Sequence, residues 1–79
     1  MKLTVLFPQA PKVCIDNVQA VELPGSKGRF EVLKEHAPII TLLDEGSVRY
    51  TTAEGEENEI HVKGGFAEVR DDVITVCAD

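Results

Sequence analysis

Ser47-Val48-Arg49-Tyr50-Thr51-Thr52 leads into the acidic stretch Glu54-Gly55-Glu56-Glu57, and the chain returns through Ile60 and Val62. Val48, Tyr50 and Thr52 alternate with Ser47, Arg49 and Thr51, the period of two that sends successive side chains to opposite faces of a strand. The Glu45-Gly46 pair supplies a turn before this run and the acidic tip supplies one after it, so the segment predicts a β-hairpin. Glu54, Glu56, Glu57 and Glu59 are read as a solvated tip whose charge keeps an exposed edge from pairing with other chains.

The same pattern extends in both directions. Leu3, Val5 and Phe7 alternate with Lys2, Thr4 and Leu6, and this first strand stops at Pro8, which has no N–H to give a ladder. From Val13 to Leu23 the alternation holds until the adjacent pair Ala20-Val21, where a β-bulge is expected. Leu23-Pro24-Gly25-Ser26-Lys27-Gly28 reads as a loop with a type II turn at Pro24-Gly25. Pro38 disfavours helix in the residue before it, and Ile39 to Leu43 is read as a short buried strand. Asp71-Asp72 is a two-residue turn into Val73-Ile74-Thr75-Val76-Cys77-Ala78, apolar on both faces and so expected at the centre of a sheet. No window carries the i, i+3, i+4 spacing of an amphipathic helix. The expectation is an all-β fold, a small β-sandwich or flattened barrel, formed by residues 1–79 as one domain.

Composition narrows the function. The chain has 79 residues, 43% of them hydrophobic and 28% charged, which is globular rather than disordered. Fourteen acidic against eight basic side chains give a net charge of -6, which opposes binding to phosphate backbones and anionic lipid, so neither nucleic acid nor direct lipid insertion is expected. No run approaches the roughly 18 uninterrupted apolar residues of a membrane span. Cys14 and Cys77 are far apart, match no metal-ligand spacing, and are read as reduced, small buried core residues.

Catalytic chemistry requires converging polar groups. His36, His61, Ser26, Ser47, Glu35, Asp44, Glu68 and Asp71 form no recognised spacing, and the two histidines have no cysteine or second histidine beside them. Gly25-Ser26-Lys27-Gly28 places serine before lysine, the reverse of a phosphate-binding loop. No catalytic residue, metal or cofactor is assigned. A carbohydrate or other small-ligand module is the alternative reading, but with no Trp, one Tyr and three Phe the chain is poor in aromatic platforms. Lys27, Arg29 and Lys34 gather three of the eight basic residues near one loop, which marks a candidate contact surface.

Three ordered blocks then carry a resemblance. Leu23-Pro24-Gly25-Ser26-Lys27-Gly28-Arg29-Phe30-Glu31-Val32-Leu33-Lys34-Glu35-His36-Ala37-Pro38 is similar to the ATP synthase epsilon pattern Leu-Pro-Gly-x-x-Gly-x-Phe-Gly-Val-Leu-Pro-Gly-His-Ala-Pro. Gly64-Gly65-Phe66-Ala67-Glu68-Val69 resembles the family's Gly-Gly-Phe-x-Glu-Val, and Val73 to Asp79 resembles its closing Val-Thr-Val-Leu-Ala-Asp run. The resemblance implies an epsilon N-terminal β-sandwich of about ten strands. It implies a non-catalytic rotor subunit of the central stalk, bound to the gamma subunit and to the c-ring of the membrane sector. Its place would be peripheral, on the cytoplasmic face of the bacterial plasma membrane, within a complex that couples proton transport to ATP synthesis.

By the same resemblance, Gly25, Ser26, Lys27, Gly28, Arg29, Phe30 and Glu31 match the ring-facing loop, and Pro8, His36 and Thr41 match positions on or near the gamma-facing side. Arg29 stands where many relatives carry an acidic residue, so either Glu31 takes that role or the ring differs in charge. Lys34-Glu35 replaces Pro-Gly ahead of His36. The family's helical hairpin follows the Ala-Asp run and is expected to lie outside these 79 residues, so neither its braking of ATP hydrolysis nor nucleotide sensing is expected of them.

Overall fold

Alternating branched apolar residues become nine strands in a computed structural model that describes residues 1–79: β1 (Lys2–Phe7), β2 (Ala10–Ile15), β3 (Val18–Leu23), β4 (Phe30–Leu33), β5 (Ile39–Leu43), β6 (Gly46–Thr52), β7 (Glu57–Val62), β8 (Gly65–Arg70) and β9 (Val73–Ala78). The count is nine where the resemblance implied about ten. A five-stranded sheet in the order β2-β1-β9-β8-β5 faces a four-stranded sheet in the order β4-β3-β6-β7. Every pairing is antiparallel except β1 with β9, which run parallel from Lys2↔Val73 to Leu6↔Cys77. The sheets enclose an entirely apolar core that includes Leu3, Val5, Val21, Leu23, Val32, Val48, Val62, Ile74 and Val76. No charged or polar side chain is buried.

The predicted hairpin is β6 and β7, in register from Gly46↔Val62 to Thr51↔Glu57. β9 lies in the middle of its sheet, as its two apolar faces required, with Ile74 and Val76 fully buried. Asp71 and Asp72 turn the chain from β8 into β9 with φ of 52° and 61°, the pair of positive values a two-residue type I′ hairpin demands.

Four local expectations are corrected. The irregularity in β3 falls between Val18 and Ala20, leaving Gln19 as the extra residue, one position before the predicted bulge at Ala20-Val21. The turn after Leu23 does not place Gly25 at positive φ; the left-handed glycine is Gly28, with φ 124°. Cys14 is exposed and Cys77 half-buried, because both stand at outward positions of the five-stranded sheet, opposite Thr4 and Leu6. The expectation of a buried strand at Ile39 to Leu43 fails most plainly: only Leu43 is buried, while Ile40 and Leu42 are 72% and 67% exposed. β5 is an edge strand whose odd-numbered residues face the core and whose even-numbered ones face out, with nothing over them.

Candidate functional site

The two outer faces of the sandwich differ in chemistry. Register across the five-stranded sheet sets Leu42 beside Phe66, Phe66 beside Cys77 and Cys77 beside Leu6, so one row of the outer face is apolar from edge strand to centre. Ile40 lies in the next row, opposite Glu68. Phe66 is 46% exposed, which leaves its ring against solvent. Sequence reading missed this face because it took the apolar even-numbered positions of β5 for core. The signal was nonetheless there, since Ile39-Ile40-Thr41-Leu42-Leu43 is apolar on both faces in the manner of a strand covered on both sides.

The outer face of the four-stranded sheet is charged. Glu31, Glu22, Arg49 and Glu59 follow one another across β4, β3, β6 and β7. Arg49 Nε stands 3.4 Å from Glu59 Oε2 and Arg49 Nη1 3.6 Å from Glu22 Oε1. Exposed pairs of this kind contribute about 0 to 1 kcal/mol each, so they set orientation more than stability.

The glycine loop joins these faces at one end of the sandwich. Leu23, Pro24 and Gly25 are buried, and Gly25 is bridged to Leu43. Ser26 N–H donates to Leu42 C=O at 2.9 Å and Asp44 N–H donates to Pro24 C=O at 2.8 Å, so the loop closes part of the free edge of β5. Gly25 is required by close approach: a Cβ there would stand 2.8 Å from the Gly28 carbonyl oxygen and 3.0 Å from the Phe30 ring. Gly28 is required by its φ alone, since nothing lies within 4 Å of the position a Cβ would take. Ser26, Lys27 and Gly28 are exposed, Phe30 packs half-buried against the core, and Glu31 is exposed opposite Glu22. Arg29 turns away from the loop tip: its Nε lies 2.6 Å from Glu22 Oε1 and its Nη2 donates to Ser47 C=O at 2.7 Å.

The other predicted contact residues are not brought together. Pro8 follows the end of β1 where Leu6 pairs with Cys77, which is the end of the sheet that carries Leu43 and Gly25. His36 precedes Ile39, which pairs with Val69 and through it lines up with Ile74 and Leu3 at the opposite end. Its Nδ1 lies 2.7 Å from Ala37 O. Thr41 sits mid-strand on the core-facing side of β5, its hydroxyl donating to Leu42 C=O at 3.2 Å. Glu35 adopts φ 66° where the family pattern has glycine, and its N–H donates to Asp72 Oδ1 at 2.6 Å, which holds the left-handed turn without a glycine. Of the polar residues weighed for catalysis, Ser47 and His61 stand opposite each other on β6 and β7, where the exposed imidazole lies 3.2 Å from Glu45 Oε2.

Residues 1–79 match the family described as ATP synthase, Delta/Epsilon chain, beta-sandwich domain. The chain is 44% identical over 77 residues to an ATP synthase epsilon chain of Desulforapulum autotrophicum, covering 98% of this chain and 56% of that one. It is 35% identical over 79 residues to an ATP synthase epsilon chain of a Sulfurovum species, of which it covers 61%. It therefore spans a little over half the length of these curated relatives. Its fold matches a chain of a Euglena gracilis mitochondrial ATP synthase with TM-score 0.85 at 24% identity, covering 96% of this chain and 48% of that one. A chain from the central stalk and c-ring of Tetrahymena thermophila mitochondrial ATP synthase gives TM-score 0.80 at 12% identity, covering 98% and 61%. With the family matched from the first residue to the last, this chain belongs to the ATP synthase Delta/Epsilon chain, beta-sandwich domain family.

Proposed function

We propose that the chain is the β-sandwich of a non-catalytic central-stalk subunit of a proton-translocating F-type ATP synthase, docking the gamma subunit onto the c-ring. In that role it transmits torque between a ring turned by proton flow and the catalytic head, peripheral to the cytoplasmic face of a bacterial plasma membrane. The observation that carries the reading is the family match over residues 1–79. The contrast between the outer faces supports it: an apolar row on β5, β8 and β9 is what a permanent protein partner covers, and a charged ladder is what water covers. Gamma would take the apolar face around Ile40, Leu42 and Phe66, with Thr41 on the same strand and Pro8 and His36 at its two ends. The ring would meet the loop that runs from Gly25 to Glu31 at its exposed tip, Ser26, Lys27 and Gly28.

Mixing the chain with purified gamma subunit on a sizing column tests this. Co-elution is expected for the parent chain, and loss of co-elution for Leu42→Asp, whose exposed side chain allows the fold to survive. A parent chain that neither co-elutes with gamma nor restores coupling to an epsilon-depleted complex refutes the assignment.

A further inference from the structure

We propose that Arg29 is a latch that holds the glycine loop onto the four-stranded sheet, a positioning residue rather than one of the loop's contacts. The inference deepens the ring-facing reading of this loop and rests on it only for what Lys27 meets. Arg29 precedes β4 yet reaches across β3 to β6. One guanidinium nitrogen engages Glu22 at 2.6 Å and another donates to the Ser47 carbonyl at 2.7 Å. The group lies over the bare backbone of Gly46, where a Cβ would come 3.6 Å from Nη1 and 3.1 Å from Pro24 Cβ. A fork that satisfies a carboxylate and a carbonyl at once is geometry that arginine supplies and lysine does not.

Charge explains why a latch is needed at this corner. Glu22 and Glu31 stand directly opposite each other on β3 and β4, a like-charge cross-strand pair that works against the pairing of the two strands. β4 has only four residues and is an edge strand, so it has little else to hold it. Arg29 and Arg49 both approach Glu22 Oε1, and between them they offset the repulsion. With Arg29 committed inward, Lys27 is the cation left at the exposed tip, in no ion pair of its own. The loop therefore presents a single positive charge whose position is set from behind.

Amide hydrogen exchange on the full chain tests the latch at Gly25, Ser26 and Gly28, whose N–H groups bond to Leu23, Leu42 and Gly25. Arg29→Met is expected to speed their exchange about threefold, the factor that an exposed ion pair of ordinary strength supplies. Amides of β1 and β9 in the opposite sheet should not change. Glu22→Gln should accelerate exchange less than Arg29→Met, because the Ser47 carbonyl still holds the guanidinium and the repulsion with Glu31 is relieved, and the double variant should be no faster than Arg29→Met alone. Arg29→Lys should fall between parent and Arg29→Met, and Lys27→Gln should leave the loop amides unchanged. Loop exchange unchanged in Arg29→Met, or effects of Arg29→Met and Glu22→Gln that simply add, overturns the proposal. In reconstituted rotor complexes, Lys27→Gln should flatten the salt dependence of ring attachment while Arg29→Met leaves its slope intact. Equal flattening by both variants would place Arg29 in the contact and also overturn the latch. Attachment indifferent to Lys27→Gln, with the exchange pattern intact, leaves the latch standing and removes the ring-facing reading.

Discussion

Gly65→Ala is the sharpest perturbation the fold offers. Gly65 opens β8, pairs with Ala78 on one side and Leu43 on the other, and adopts φ 127°. A Cβ at this position would overlap the Cys77 carbonyl oxygen and crowd the Ala78 Cα at 3.1 Å, and both obstacles are backbone of the central strand β9. Relief by a side-chain rotation is therefore closed. Holding an L residue at such a φ costs about 1 to 3 kcal/mol. Forcing extra volume into a packed site adds about 1 to 3 kcal/mol, so the expected loss is about 2 to 6 kcal/mol. Against a total of about 4 to 12 kcal/mol for a chain of 79 residues, this is a large fraction. Chemical denaturation followed by circular dichroism at 25 °C measures it, with Gly28→Ala as the control. Gly28 has φ 124° but open space around its missing Cβ, so it isolates the backbone term. Each kcal/mol moves Tm by about 4 to 8 °C in a domain this small, so Gly65→Ala should melt at least about 8 °C below the parent. If Gly65→Ala lost no more stability than Gly28→Ala, the overlap with Cys77 would be absorbed by the sheet, and the claim that β8 must approach β9 through a bare backbone would be wrong.

Glu35→Gly should raise stability by about 0.5 to 1 kcal/mol, because Glu35 is held at φ 66° and glycine takes that conformation without the steric cost; a lower denaturation midpoint would show the side chain contributing. Asp72→Ala removes the acceptor of the Glu35 N–H and also puts alanine at φ 61°, so it should cost about 1 to 3 kcal/mol, read from the same denaturation curves. A thiol reagent under native conditions should modify exposed Cys14 before half-buried Cys77, with no disulfide forming on oxidation, since β1 runs between their strands; mapping the labelled peptides by mass spectrometry decides it.

Period-two alternation made the strands legible, and it did so best where one face meets the core and the other meets water. Ser47 to Thr52 is such a case, with Val48 buried and Arg49 exposed. Asp71-Asp72 was equally plain, because a two-residue connection between apolar runs leaves few backbone solutions. The pattern failed at β5, where two apolar faces are indistinguishable in sequence whether the second cover comes from the same chain or from another. Cys14 and Cys77 failed for a related reason, since small apolar residues are tolerated on a surface as well as in a core. The loop glycines were recognised as a pair, but which of them needed positive φ depended on the Gly25–Leu43 bridge, a contact made by a strand far along the chain. Arg29 looked like a free cation because its partners, Glu22 and Ser47, reach it only through sheet pairing.

The distribution of large side chains bears on how the domain would behave alone. Its fully buried residues are aliphatic, the largest being Leu3, Leu23 and Ile74, while Phe7 and Phe30 sit at the margin of the core and Phe66 faces outward. Covering a leucine or isoleucine completely yields about 1.5 to 3 kcal/mol, and Ile40 and Leu42 have most of that still unrealised at 72% and 67% exposure. Together they hold about 2 to 4 kcal/mol, comparable to the loss assigned to Gly65→Ala. A partner on this face, gamma in the proposed assignment, binds only the folded form and so adds to its stability in proportion to RT ln(1 + [L]/Kd), about 2.7 kcal/mol at a hundredfold excess over Kd. Gly65→Ala should consequently lose much more of its folded population alone than in the presence of gamma. A deficit that gamma fails to reduce would mean that the apolar row on β5, β8 and β9 is not the surface through which the domain is held.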